Sequence, residues 1–122
     1  MTSEFTKQIP KEEWAGYLEG LTKQLEGKWI TMEVLDRDFG DQYEVERLPL
    51  AFFFYDPKDD VVEIAVGGWT TSFPVELRHF IHHPVEIWEK DLIGTEPTGF
   101  LIVDAEGRKT LVTVHEAPAL PA

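Results

Sequence analysis

The chain has no cysteine in 122 residues. Disulfides, thiolate metal sites, iron–sulfur clusters and cysteine nucleophiles are therefore excluded by chemistry, and a redox role would need a borrowed cofactor. It also lacks long apolar runs: no stretch approaches eighteen uninterrupted apolar residues, and the opening "MTSEFTKQIPKEEW" has no apolar segment of the export type. Neither membrane spanning nor export is expected, and the expected compartment is the cytoplasm. Basic side chains are the scarce charge, with 11 Lys and Arg against 23 Asp and Glu, so that 11 − 23 = −12. Such a field repels phosphate backbones and anionic lipid surfaces, which argues against nucleic-acid and membrane-surface binding. An acidic surface also serves solubility alone. Catalytic signatures are missing as well: there is no G-x-S-x-G, no H-E-x-x-H and no dinucleotide fingerprint, and Gly67-Gly68 lacks the Lys-Ser/Thr of a phosphate loop. No catalytic residue, cofactor or metal is assigned from the sequence.

What is present belongs to a folded domain. The apolar share is 43%, with four tryptophans and eight phenylalanines, too rich for a disordered tail. A chain of this length forms one domain, 1–122, and folding buries roughly 65–70% of the surface of the unfolded chain. Its ends, 1–8 and 117–122, read as loose: the first is mixed polar and "EAPALPA" carries two prolines. Between them "IPKEEWAGYLEGLTKQLEG" predicts one amphipathic helix, with Pro10 near the first turn, Glu12 and Glu13 at the positive end of the dipole and Gly27 as a stop. Its apolar stripe is Trp14, Tyr17, Leu18, Leu21 and Leu25, a face that wants a sheet to cover.

From Lys28 the period becomes two, with Ile30, Met32 and Val34 on one face. "DFGDQ" makes a turn, Tyr43 to Leu48 returns, and Pro49, lacking an N–H, is expected to break or bulge that strand. "LAFFFYDPKDDVVEIAV" reads as a hairpin around Asp56 and Pro57, with Val62, Ile64 and Val66 on one side. Val75 to His83 alternates again, with Val75, Leu77, His79 and Ile81 sharing a face, and Pro84 is expected to end it. "VEIWEKDLI" is a strand or irregular segment. "GFLIVDAEGRKTLVTVH" is a closing hairpin with Gly107 where a positive φ is often needed. The expected fold is α+β: an N-terminal amphipathic helix packed on a bent, mostly antiparallel β-sheet or partly open β-barrel of about seven to eight strands.

Three of the four histidines fall within "RHFIHHP". A zinc site needs ligands converging on one point, but side chains three apart on a strand point to opposite faces, so His79 and His82 diverge. His79 and His83 share a face yet lie about 13 Å apart along a regular strand, at roughly 3.3 Å per residue. The sequence therefore expects His79 half-buried in the sheet and His82 and His83 at its rim. "DRDFGDQ" places Asp36 and Asp38 as a calcium loop would, but Gly40, Asp41 and Arg47 then stand at the wrong positions. "DPKDD" with Glu63 gathers carboxylates that turn chemistry largely explains. Trp69 and Phe73, in the polar "WTTSFP", are large aromatics in a loop. Such residues either fold back on the core or anchor a partner.

In order and spacing, "IPKEEW", "LEGKWITMEVL", "LPL", "YDPKDDVVEIAVGG", "HFIHHP" and "DAEGRKTLVTV" resemble a family of short bacterial proteins known as domain of unknown function 5335. That resemblance implies a bacterial, single-domain, cytoplasmic protein and assigns no activity, so no catalytic residue is carried over. The function expected is a non-enzymatic binding or protein-interaction module, meeting another protein or its own twin through a sheet edge or the Trp69 loop. Its candidate contact residues are Trp69, Phe73, Arg78, His79, His82 and His83. The rival reading is a small-ligand or metal-binding protein, with or without weak enzymatic activity, centred on His79, His82 and His83.

Overall fold

The computed structural model describes residues 5–36, 40–67, 77–90, 92–93 and 96–116. After a single turn of 3-10 helix, Lys11–Glu13, helix α1 runs Trp14–Gln24. Pro10 enters with φ −60°, which suits a residue just ahead of a helix. Gly27 leaves with φ 92°, a left-handed conformation that glycine adopts without a Cβ clash. Trp14, Leu18, Leu21 and Leu25 are buried, so the stripe at spacings of three and four is the face turned to the core.

The strands are β1 (Phe5–Gln8), β2 (Trp29–Asp36), β3 (Gly40–Asp56), β4 (Val61–Val66), β5 (Leu77–His82), β6 (Pro84–Lys90), β7 (Leu92–Ile93), β8 (Glu96–Pro97), β9 (Gly99–Asp104) and β10 (Lys109–His115). Eight form one sheet in the order β1-β6-β9-β10-β2-β3-β4-β5, while β7 and β8 pair only with each other. Every pairing is antiparallel. The architecture is thus α+β, one helix on a single antiparallel sheet that does not close into a barrel and has β1 and β5 as its edges.

The bend of this sheet comes from β3, which pairs with β2 up to Pro49 and with β4 from Leu50 on. Arg47, at φ 54°, sits where the β2 register slips, as a bulge requires. Beyond Pro49 no strand among the described residues faces the β2 side of β3, and α1 takes that place. The Phe53 N–H donates to the Thr22 hydroxyl at 2.9 Å, and that hydroxyl lies 2.9 Å from Leu18 O and 3.1 Å from Phe53 O, to one of which it gives its single proton. The helix therefore satisfies main-chain groups that a neighbouring strand would otherwise take. Tyr17 donates to Glu89 Oε2 at 2.6 Å and ties the other side of α1 to β6.

Two aromatic pairs fill the interior edge to face: Phe53 on Phe100 with centroids 4.9 Å apart, and Trp14 on Tyr55 at 5.2 Å. The Trp14 indole N–H donates to Ile9 O at 2.8 Å. Ile30, Met32 and Val34 are buried along β2, as their alternation requires, and so are Val62, Ile64 and Val66 along β4.

Three local readings are sharpened. Pro49 does not break its strand, and of the two outcomes expected it is the bulge that occurs, with register slips on either side of it, near Arg47 and between Leu50 and Phe52. Pro49 sits at the exchange of partners, where its carbonyl accepts from Gly67 N–H at 2.7 Å and the next amide, Leu50 N–H, reaches Lys28 O at 3.0 Å, so the strand stays paired on both sides of the proline. Pro84 follows the end of β5 as expected, but what it opens is another strand. One residue, His83, separates β5 from β6, and Pro84 is the first residue of β6. Phe5–Gln8, read as part of a loose end, pairs with β6 as β1.

Candidate functional site

Strand β5 alternates as its sequence demands. Ile81 is buried and Leu77 and His79 are half-buried, while Arg78, Phe80 and His82 face out. It pairs with β4 in a fixed register, Val61 opposite His82 through Val66 opposite Leu77. His83 N–H continues this ladder to Asp60 O at 2.9 Å. In an antiparallel ladder, residues whose main-chain groups face the partner alternate with residues whose groups face away. The amides and carbonyls of His79 and Ile81 thus point to β4, and those of Arg78, Phe80 and His82 point to the other side. Among the described residues, β5 has no strand neighbour on that side.

The end of β5 is locked by a corner. His83 and Asp60 both adopt left-handed conformations, φ 54° and 52°, which His and Asp tolerate better than most side chains. His83 O accepts from Ala105 N–H at 2.9 Å, so one residue joins the β3–β4 turn to the β9–β10 turn. The Asp60 carboxylate takes the Tyr55 hydroxyl at 2.8 Å and stands 3.3 Å from His83 Nδ1. The hydrogen bond from Tyr55 holds Asp60 below the usual carboxylate range, against the opposing effect of burial. Burial first, and then the Asp60 hydrogen bond, pushes the Tyr55 phenol up to about 12. Chemically this is a pinned corner, with the buried phenol fixing the carboxylate and the carboxylate facing the exposed imidazole.

A cavity of about 280 Å³ lies beside β5, lined by His79, Phe80, Ile81, His82 and His83 on one wall and by the β9–β10 turn on the other. Consecutive β5 residues point to opposite faces, so a cavity that touches all of them follows the strand's edge. The opposite wall is rigid. Asp104 Oδ1 accepts from Glu106 N–H at 2.9 Å and Arg108 N–H at 3.0 Å, and Gly107 turns the chain at φ 85°. Arg108 is gripped by Asp36 at 3.0 Å.

On the outer face a cross-strand row runs Phe54, Glu63, Phe80. Phe54 is 51% and Phe80 46% exposed, a large apolar exposure for two aromatics on one sheet face. Glu63, between them, is buried but paired with Arg78, whose guanidinium also lies 5.8 Å from the Phe80 ring centroid. That pairing explains how β4 buries a carboxylate on its outer face.

The candidate residues of the "RHFIHHP" stretch thus gather on one strand and its corner, but not on one point. His79 faces inward, His82 outward, and His83 belongs to Asp60. No group of three or more His, Asp or Glu side chains among the described residues is arranged to hold a metal ion. Trp69 and Phe73 lie outside the described residues. Asp56 serves its turn, accepting from Lys58 N–H at 2.9 Å. Of the calcium-like stretch, Asp36 binds Arg108, and Asp38 lies outside the described residues. The far wall of the groove, Asp104, Glu106 and Arg108, went unnoticed in the sequence, where "DAEGR" reads only as a turn. Phe54 was also missed, though its place in the alternation of "FFFYD" opposite Phe53 and Tyr55 was a usable signal.

Residues 5–122 match the family of unknown function DUF5335. An uncharacterized protein of Aquifex aeolicus (strain VF5) is similar over 116 residues at 40% identity, covering 95% of this chain and 97% of that protein. No solved structure matches. No helix is long and apolar enough to cross a membrane among the described residues.

Proposed function

The chain belongs to the DUF5335 family of unknown function, and we propose that it is a cytoplasmic, non-enzymatic module that binds an extended segment of a protein partner along the edge of β5 that no described strand covers. The observation behind this reading is the edge itself. The Arg78, Phe80 and His82 main-chain groups face away from β4, and Phe80 and Phe54 stand exposed beside them. Strand addition at such an edge draws affinity from main-chain hydrogen bonds and specificity from pockets that receive alternate side chains. The groove between β5 and the β9–β10 turn supplies a pocket of that kind. Edge strands are commonly guarded by charge, yet here Arg78 is paired with Glu63 and Phe80 stays 46% exposed, although the same guanidinium lies 5.8 Å from its ring centroid. The exclusion of nucleic acid and anionic lipid surfaces is part of the same proposal and rests on the net charge of −12.

The test is selection of linear peptides displayed on phage against the full chain, followed by mapping of the selected peptides on the backbone amide spectrum. Peptides that shift Arg78, Phe80 and His82 amides, and that lose binding to Phe80→Pro and to Phe80→Asp in folded protein, support the reading. Proline removes an N–H that the β4 ladder does not use, so the fold is expected to survive it. Selected peptides that map to another surface, or a selection that yields none, overturn it.

A further inference from the structure

From the groove beside β5 we infer the chemistry of the segment it takes: an extended peptide carrying a lysine or arginine whose side chain enters the cavity between β5 and the β9–β10 turn. The inference rests on the strand-addition reading and adds to it the identity of one side chain. The cavity is about 280 Å³ and is lined in part by Phe80 and Ile81 and in part by Asp104, Glu106 and Arg108. A strand added at the edge of β5 runs along this cavity with its side chains alternating above and below the sheet, so a long flexible side chain beside the far wall reaches its carboxylates.

Charge chooses the occupant. Arg108 is the cation of the far wall and Asp104 and Glu106 are its carboxylates, giving 1 − 2 = −1 for the lining, and Asp36, which lies outside the lining, adds a third carboxylate 3.0 Å from Arg108. Arg78, next to the near wall but outside the lining, is matched by Glu63. The whole chain, at −12, draws a basic segment toward every face and repels an acidic one. A lysine or arginine also suits the mixed lining. Its methylene stem lies against apolar surface while its charged head stays at the wet rim, here with Phe80 on the outer face of β5 and Glu106, whose side chain is 80% exposed, on the opposite wall. A second copy of this chain is disfavoured as the occupant, because it would bring another −12 to the same edge.

The experiment uses three blocked synthetic peptides of alternating threonine and valine that differ only at the central residue: lysine, norleucine or glutamate. Each is titrated into the full chain at low and high salt and followed by amide shifts and calorimetry. The lysine peptide is expected to bind at least about tenfold more tightly than the norleucine peptide at low salt, with the glutamate peptide weakest, and the advantage is expected to shrink as salt screens it. Glu106→Gln, which leaves the Asp104-capped turn intact, is expected to remove most of the lysine advantage and leave norleucine binding unchanged. If lysine and norleucine peptides both shift the β5 amides with equal affinity, strand addition stands and the basic side chain is refuted. If no peptide shifts them, both are refuted.

Discussion

The contact between α1 and the bend of β3 gives the sharpest test of how the fold is held. Thr22 ties α1 to the β3 main chain, accepting from Phe53 N–H at 2.9 Å and lying 3.1 Å from Phe53 O. Thr22→Val keeps the shape, the β-branching and nearly the helix propensity, and removes only the hydroxyl. A half-buried amide is then left without its acceptor, which costs about 1–3 kcal/mol, more than the 0.5–1.5 kcal/mol net worth of an ordinary hydrogen bond. With an unfolding entropy of about 2.1 cal/mol/K per residue, each kcal/mol moves the melting temperature of a chain of this length by roughly 4 °C. The expected loss is therefore about 4–12 °C by thermal or urea unfolding. Thr22→Ser, which keeps the oxygen, is expected to lose much less. Refutation would be a Thr22→Val protein as stable as the parent, or a serine variant as unstable as the valine one, since either result would remove the hydroxyl from the explanation.

Other perturbations follow from the same geometry. Phe53→Ala, which empties the site against Phe100 at 3% exposure, is expected to cost about 3–5 kcal/mol in urea unfolding, and a change under about 1 kcal/mol would show that the buried face is misassigned. Gly99→Ala puts a Cβ 2.4 Å from Val112 O across the β9–β10 ladder, whereas a Cβ at Gly107 meets nothing within 4 Å and suffers only its φ of 85°. Gly99→Ala is therefore the more destabilising of the two, and the reverse order in thermal melts would contradict the register. Burial raises the Tyr55 phenol from 10.0 to about 12 and burial, with Glu89, also raises that of Tyr17. Their stabilising effect is complete below pH 10 and is lost as pH rises through the folded values. Absorbance titration is expected to show both ionising well above pH 10 in folded protein, and normal titration of all the tyrosines in the native state would rule this out.

Much of this fold was legible because burial follows period. Ile30, Met32 and Val34, and again Val62, Ile64 and Val66, alternate in the chain and are buried in the sheet. Gly27 and Gly107 announced their turns and take positive φ. What stayed hidden is long-range. Nothing near Pro49 says that β3 continues and changes partner, since that depends on where β2 begins and on α1 filling the space beyond it. His83 likewise reads as a strand end because proline follows it. Its role as a one-residue corner is set by Asp60 and Ala105, each more than twenty residues away in sequence. For the candidate site, the alternation of "LRHFIH" sufficed to separate His79 from His82. The groove, however, has a second wall formed by a distant turn, and its charge balance emerges only when Asp36 and Arg108 are brought together across 72 residues.

Amide hydrogen exchange along β5 in the free protein tests the open edge most directly. Protection is expected to alternate: His79 and Ile81, whose main-chain groups face β4, exchange slowly together with His83, which donates to Asp60 O, whereas Arg78, Phe80 and His82 exchange orders of magnitude faster, near the rate of solvent-exposed amides. Slow exchange at Phe80 and His82 matching that of Ile81, in protein shown to be monomeric, would mean that the edge is already covered and would contradict strand addition there.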